Sequence, residues 1–361
     1  MSLRDTVRSV DEDLKLGTGR RLDAIVIGTL LSFVLVAPVI STLTLGYSGI
    51  VSNILIFMLF AVAYNLLVGY TGIVSFGHAM FLGGAMYTVA MVTSILGSTL
   101  FFPGVVLALA SVSLAAYLIG SVIAHKGEIY FALLTIAFAE IVRYVANANP
   151  YGLTGGSDGI ARGVLPNWIE TYRGEAFVNL GGMEVAVYWF VGLVFVISVY
   201  AIFRIVRSPF GRTLLTIRDN EQLARSIGID TRMYKVYSFT ISAFFSGIAG
   251  VLLVVVNQGV ATSYLHWSMS GDILMMTVIG GLSSFVGPMF GAIIWFVFED
   301  LLTSLDAIGD LRHYWKFLFG LLFVLVVLRS PEDGAWGLLK KRVLSLLERG
   351  DGQDGGVRRD E

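Results

Sequence analysis

Apolar residues run through this chain in long blocks that charge rarely interrupts, with polar residues gathered between the blocks. A helix rises ~1.5 Å per residue, so crossing ~30 Å of hydrocarbon takes about 20 mostly apolar residues. Runs of that kind are Ala24 to Leu45, Ile50 to Gly69, Ile73 to Ile95, Pro103 to Ala124, Ile129 to Ala146, Val185 to Ile205 and Val236 to Val256. A further apolar region, Ser270 to Asp300, is broken at Gly280-Gly281 and Gly287-Pro288, which predicts two short helices. His313 to Leu328 is the last run. The pattern predicts an all-α, polytopic transmembrane helical bundle of about ten spans, occupying residues 24–329.

The charged blocks fix an orientation. Arg20 and Arg21 precede the first span, Arg204 to Lys235 is a basic loop, and Lys340, Lys341 and Arg342 follow the last span. Basic loops stay in the cytoplasm. An even number of crossings puts all three there, and the split at Gly280-Gly281 is what makes the count even. The expected layout is a cytoplasmic N-terminal segment over 1–23, an external loop over 149–182 and a cytoplasmic loop over 206–235. A cytoplasmic tail over 330–361 follows, disordered at its end because almost no apolar side chains follow Glu348. Arg20-Arg21 does not read as a twin-arginine signal, since the following apolar run is too long and ends in no small-residue cleavage site.

Composition agrees with a membrane solvent: 56% of residues are hydrophobic and 14% charged, against about 25% charged in soluble proteins. That excludes a nucleic-acid binder, a disordered chain and a secreted disulfide scaffold. With 0 Cys there is no thiolate metal site, and the reading calls for no metal or cofactor.

The polar loop Ser208 to Thr231 holds the most chemistry. Pro209 and Gly211 turn the chain out of a span, Arg212 to Ile227 has the composition of one short amphipathic helix, and Gly228 ends it in the left-handed cap that glycine adopts without penalty. From physics alone two readings stay open: a docking helix for a partner protein, or an interfacial helix lying on lipid with its arginines toward head groups.

Five phrases then point one way. They are NLLVGYTGIVSFGHAMFLGGAMYT (Asn65 to Thr88), YFALLTIAFAEIVR (Tyr130 to Arg143), LTGGSDGI (Leu153 to Ile160), SPFGRTLLTIRDNEQLARSIGID with the span that follows, and GGLSSFVGPMFGAII (Gly280 to Ile294). In this order they resemble the permeases of branched-chain amino acid ABC transporters. Glu221-x-x-Ala224-x-x-x-Gly228 also resembles the loop by which ABC importer membrane subunits dock on their ATPases, with Gln222 at the place of that motif's glutamate. The resemblance implies a non-catalytic subunit that pairs with a related second permease, is driven by two cytoplasmic ABC ATPases and receives cargo from an external substrate-binding protein. It implies ATPase coupling through Arg218, Asn220, Glu221, Ala224, Arg225 and Gly228. The chain has no Gly-Lys dipeptide and hence no P-loop of its own. Urea and other small amides are alternative cargoes for similar permeases.

Polar groups within spans are candidates for a substrate pathway, because burying them in hydrocarbon is costly. His78 lies among Gly77, Gly83 and Gly84, where a broken helix would aim backbone groups at a ligand, or where a histidine would bond a neighbouring helix. Asn65, Thr71 and Ser75 either line the pathway or join helices. Glu140 and Arg143, three apart, form a local pair or touch substrate. Asp272, Glu299 and Asp300 fall near span ends, where solvation explains them. Asp158 is a candidate contact for the binding protein, or a turn-capping aspartate.

Two other classes compete. Gly46-Tyr47-Ser48-Gly49 has the shape of an intramembrane serine-protease site, but His78, His125, His266 and His313 are dispersed. A channel or carrier that needs no ATP is compatible with the hydropathy, and the loop Ser208 to Lys235 is what separates it from an ATP-driven permease.

Overall fold

The computed structural model describes residues 28–37, 50–161, 185–304, 315–330 and 333–338. The segment 1–23, the Gly46–Gly49 motif, His313, residues 162–182 of the external loop and the end of the tail lie outside the described residues. Within them the chain is helical: α1 Gly28–Ala37, α2 Ile50–Asn65 continued by a π-helical turn Leu66–Thr71, α3 Ala79–Leu96, α4 Phe101–Ile123, α5 Glu128–Ala148 and α6 Val185–Arg207. Then come α7 Pro209–Asp219, α8 Glu221–Ser226, α9 Thr231–Asn257, α10 Trp267–Gly280, α11 Gly287–Ser304 and α12 Trp315–Arg329. Among the described residues six helices are long and apolar enough to cross a membrane: Ile50–Thr71, Ala79–Leu96, Ser98–Ile123, Glu128–Ala148, Val187–Arg207 and Thr231–Asn257.

Helices α2 and α9 form the hub. Almost every residue of α2 is buried, and α9 packs against α2, α3 and α4. A helix that is apolar all round and covered all round is the inside of a bundle. Helix α5, by contrast, buries only Phe131, Thr135, Ala139 and Ala146. Their spacing makes one narrow stripe, so much of its remaining surface is left uncovered by the described residues.

The expected break in the Ser270 to Asp300 region lies between α10 and α11, which return on each other as a hairpin. Gly291 sets how close they come: a Cβ there would lie 1.8 Å from the Met276 carbonyl oxygen. At the end of the bundle where α5 and α9 finish, Ile160 and Ala161 pair antiparallel with Val260 and Gly259.

Three expectations need correction. The span expected over Ile73 to Ile95 becomes a helix only at Ala79; Gly72 takes a left-handed conformation (φ 79°) after the π turn, and residues 73–78 are irregular. Such backbone survives at membrane depth only when protein covers it, and Thr71, Ile73, Ser75, Gly77 and His78 are all buried. The single helix expected over Arg212 to Ile227 is two helices, because Asn220 is extended (φ −159°, ψ 98°). Asp272 is not left to solvent: it pairs with Lys316 of α12 at 3.0 Å.

Candidate functional site in the 208–235 loop and the broken helix it grips

Residues 208–235 form a compact unit on the bundle. Ser208 is extended and Pro209 occupies the first turn of α7, where its fixed φ suits a helix start. Gly211, Leu214 and Ile217 are buried against the bundle, while Arg212, Thr216 and Asp219 face outward. Phe210 stacks on Tyr234 of α9 with ring centroids 5.5 Å apart.

Asn220 ends α7 and begins α8. Its side chain accepts from the Leu223 backbone N–H at 2.9 Å, the bond by which an N-cap satisfies an orphan donor. Ala224 is fully buried, so α8 sits tightly on its support. Beyond it the Ile229 N–H donates to the Ala224 carbonyl while Gly228 has φ +89°, a left-handed cap.

Glu221 ties α8 to α9. Its Oε2 lies 2.8 Å from Lys235 Nζ, and its Oε1 accepts from Arg225 at 2.8 Å and from the Thr231 hydroxyl at 3.0 Å. Arg225 Nε also donates to Thr231. Lys235 is only 8% exposed, so this is a nearly dry charge and its partner carboxylate is needed. Burial alone would raise the Glu221 pKa, but the Lys235 ammonium and the Thr231 and Arg225 donors outweigh it and hold the group below its ordinary value.

Arg218 leaves α7 in the opposite direction. Its guanidinium donates from NH1 to the carbonyl of Gly69 in the π turn, its stem lies over Gly72, and its other edge meets Asp219 at 3.4 Å. A cation on the last carbonyls of a helix complements both their lone pairs and the helix dipole. The 208–235 loop is therefore held directly to the one hub helix that is broken.

The broken segment is stitched to α9 by hydroxyls. Thr71 Oγ1 donates to the Leu66 carbonyl at 2.9 Å and bonds the Ser238 hydroxyl. Ser242 donates to the Ala63 carbonyl at 2.6 Å and meets His78 Nε2 at 2.9 Å. Tyr64 donates to the Ser75 carbonyl at 2.9 Å. Rings of Phe60, Tyr64, Phe81 and Phe239 surround the His78 imidazole.

The structure thus brings Asn65, Thr71, Ser75 and His78 together on one seam, and all four are buried. His78 takes the helix-joining geometry. Asn65 Nδ2 reaches the Ser284 carbonyl at 3.5 Å, while Asn65 Oδ1, Ser75 Oγ and His78 Nδ1 have no partner. Asp158 lies far along the chain from this seam in an exposed turn, accepting from Ser157 at 3.2 Å.

Several participants escape a reading of the sequence alone. Gly69 acts through a partner 149 positions away, and Thr231 and Lys235 through the fold-back of α8 on α9. Leu223 and Ile227 are 57% and 66% exposed on α8 and its cap. Ser238, Ser242 and Ser246 did leave a signal, because serines four apart in an apolar helix mark a polar stripe.

The described residues thus form a bundle of apolar helices with a compact polar unit, residues 208–235, held on it. Residues 46–327 match the model of the family described as the branched-chain amino acid transport system permease component. The chain is 28% identical over 302 residues to the high-affinity branched-chain amino acid transport system permease protein LivM of Escherichia coli (strain K12), covering 80% of this chain and 69% of that protein. It is 24% identical to the LivH permease of the same system in that organism, over 76% of this chain and 89% of that protein. A ribose import permease, RbsC of Haemophilus influenzae, is 24% identical over 59% of this chain and 64% of its own length. The chain belongs to the branched-chain amino acid transport permease family. It is a multi-pass inner-membrane permease, a transport subunit and not an enzyme.

Proposed function

We propose that this permease, with a related second permease, forms the pathway of an ABC importer for branched-chain amino acids. In this reading two cytoplasmic ATPases drive the cycle, one of them seated on the 206–235 loop, and an external binding protein delivers the cargo. Relatives named as the LivM and LivH permeases of one system support a paired assembly. Helices α1, α10, α11 and α12, beyond the six long spans, would bring the crossings to ten with both termini in the cytoplasm.

One observation carries the coupling role. Leu223 and Ile227 lie four residues apart, on one helix face, and both are largely exposed. Asn220, Gln222 and Ser226 rim them with exposed polar groups. An apolar pair inside a polar rim is the form of a protein interface. A lipid-lying helix would present free cations around that pair, whereas Arg218 and Arg225 are committed to Gly69, Glu221 and Thr231. The polar residues Arg218, Glu221 and Arg225 then act by holding α8 in place, and Asn220, Ala224 and Gly228 by shaping it. ATP-driven movement of the ATPases would pass through this unit and reorient the pathway by alternating access.

The test is Leu223→Asp with Ile227→Asp, expressed with the partner subunits. Anchors of this kind are worth ~2 kcal/mol or more, so ATPase recovered with the permease should fall by about tenfold or more while membrane insertion is unchanged. Recovery of ATPase at the unsubstituted level would refute the docking role. Uptake of leucine, isoleucine or valine by the unsubstituted complex in proteoliposomes tests the cargo.

A further inference from the structure

Helix α5 carries a charged pair where a lipid-facing helix tolerates none. Glu140 Oε2 accepts from Arg143 Nε at 2.8 Å and lies 2.7 Å from Arg143 NH2. At ~1.5 Å per residue Glu140 is about 18 Å from the start of α5 and about 12 Å from its end, well within an apolar span. The two side chains are 34% and 33% exposed. Asn147, half-buried, lies on the same face, and Tyr144 beside it is 72% exposed. The half of α5 toward Ala148 therefore presents a polar face, whereas the half toward Glu128 exposes Ile129 and Leu133.

A charge turned to lipid costs at least ~2.5 kcal/mol, so in the assembled transporter this face must meet water or protein. The pair is also incomplete. Glu140 Oε1 is buried without a hydrogen-bond partner, and Arg143 uses only Nε and NH2 on its partner carboxylate, leaving the NH1 donors of a five-donor guanidinium outside the pair. The ion pair thus keeps an unused acceptor on its anion and an unused donor edge on its cation. A lone anion or a lone cation would satisfy one and repel the other. A zwitterion carrying both an ammonium and a carboxylate satisfies both.

We propose that the Glu140–Arg143 pair lines the translocation pathway and receives the head group of a zwitterionic amino acid, the ammonium on Glu140 and the carboxylate on Arg143. This rests on the reading of the chain as an amino acid permease and assigns the contact within it.

The experiment uses the full complex with its second permease, ATPases and loaded binding protein in proteoliposomes. Because the chain has 0 Cys, Asn147→Cys places a single thiol beside the pair, and thiolates react only where water reaches them. A membrane-impermeant thiol reagent should label that site, and leucine-loaded binding protein should slow the labelling. Glu140→Gln and Arg143→Gln should each lower leucine uptake about tenfold, the loss expected for one charge-assisted hydrogen bond, with ATPase recovery unchanged. The exchange Glu140→Arg with Arg143→Glu should not restore uptake. An unreactive thiol in the assembled complex would mean that the second permease or lipid covers this face, and would overturn the proposal. So would uptake within twofold of normal in both glutamine variants, or full recovery in the exchanged pair, which would mark a purely structural bridge. If the unsubstituted complex transports leucine and the variants are normal, the pair assignment alone fails. If it transports no zwitterionic amino acid, the cargo reading fails and takes this proposal with it.

Discussion

Arg218, on the loop helix α7, donates to the carbonyl of Gly69, in the π turn of the most deeply buried of the long spans. The bond joins the place where a motor would push to the place where the bundle's backbone is already broken. A π turn leaves carbonyls poorly served by the helix itself, and a guanidinium satisfies one of them without joining the helix. In the proposed transporter, movement of α7 would in this way be passed to the segment Asn65–His78, which carries all four of the buried polar candidates.

Arg218→Gln should separate assembly from transport. With Leu223 and Ile227 untouched, ATPase recovery should hold, while uptake falls about tenfold through loss of a charge-assisted bond to a buried carbonyl. Arg218→Lys keeps the charge but not the fork and should recover only part. Parallel measurement of ATP hydrolysis and uptake checks this; equal loss of ATPase binding would place Arg218 on the partner's surface instead.

The Glu221 network should respond to acid. Its carboxyl lies below the ordinary value of 4.5, so its contribution is fully present above that value and is lost as pH falls through the depressed one. Glu221→Gln should remove this dependence. Protease sensitivity of the 206–235 loop, followed from pH 7 downward in both proteins, reads the difference.

Ser242 and Ser246 should differ although both are buried hydroxyls in one helix. Ser246 bonds its own helix at the Ser242 carbonyl, so Ser246→Ala should cost little. Ser242→Ala strands His78 Nε2 and the contact to Ala63, for about 1–3 kcal/mol. Thermal unfolding in detergent should rank the two.

Gly291→Ala should be among the most damaging single methyl additions. Its Cβ would meet the Met276 carbonyl at 1.8 Å and the Gly280 nitrogen at 2.9 Å, rigid backbone on both sides, with a cost of about 1–3 kcal/mol for forced separation. The measurable outcome is less folded protein in detergent; Gly271→Ala, where nothing lies within 4 Å, should be neutral.

The sequence by itself determined the helical class, the positions of most of the long spans, the break at Gly280-Gly281 and the polar loop between α6 and α9. A bilayer demands contiguous apolar runs and glycine interrupts them locally, so these features can be read along the chain. It did not determine where α3 begins, that Asn220 divides the loop helix, or what Arg218, Glu221 and Ser242 hold. The Asn220 break and the Glu221 network were settled within the loop's own packing, Arg218 and Ser242 by partners far away in the chain, 149 positions in the case of Arg218 and Gly69. A buried carbonyl or ammonium takes whichever donor or acceptor the packing brings within reach, and only the tertiary arrangement of α2, α7 and α9 fixes which one that is.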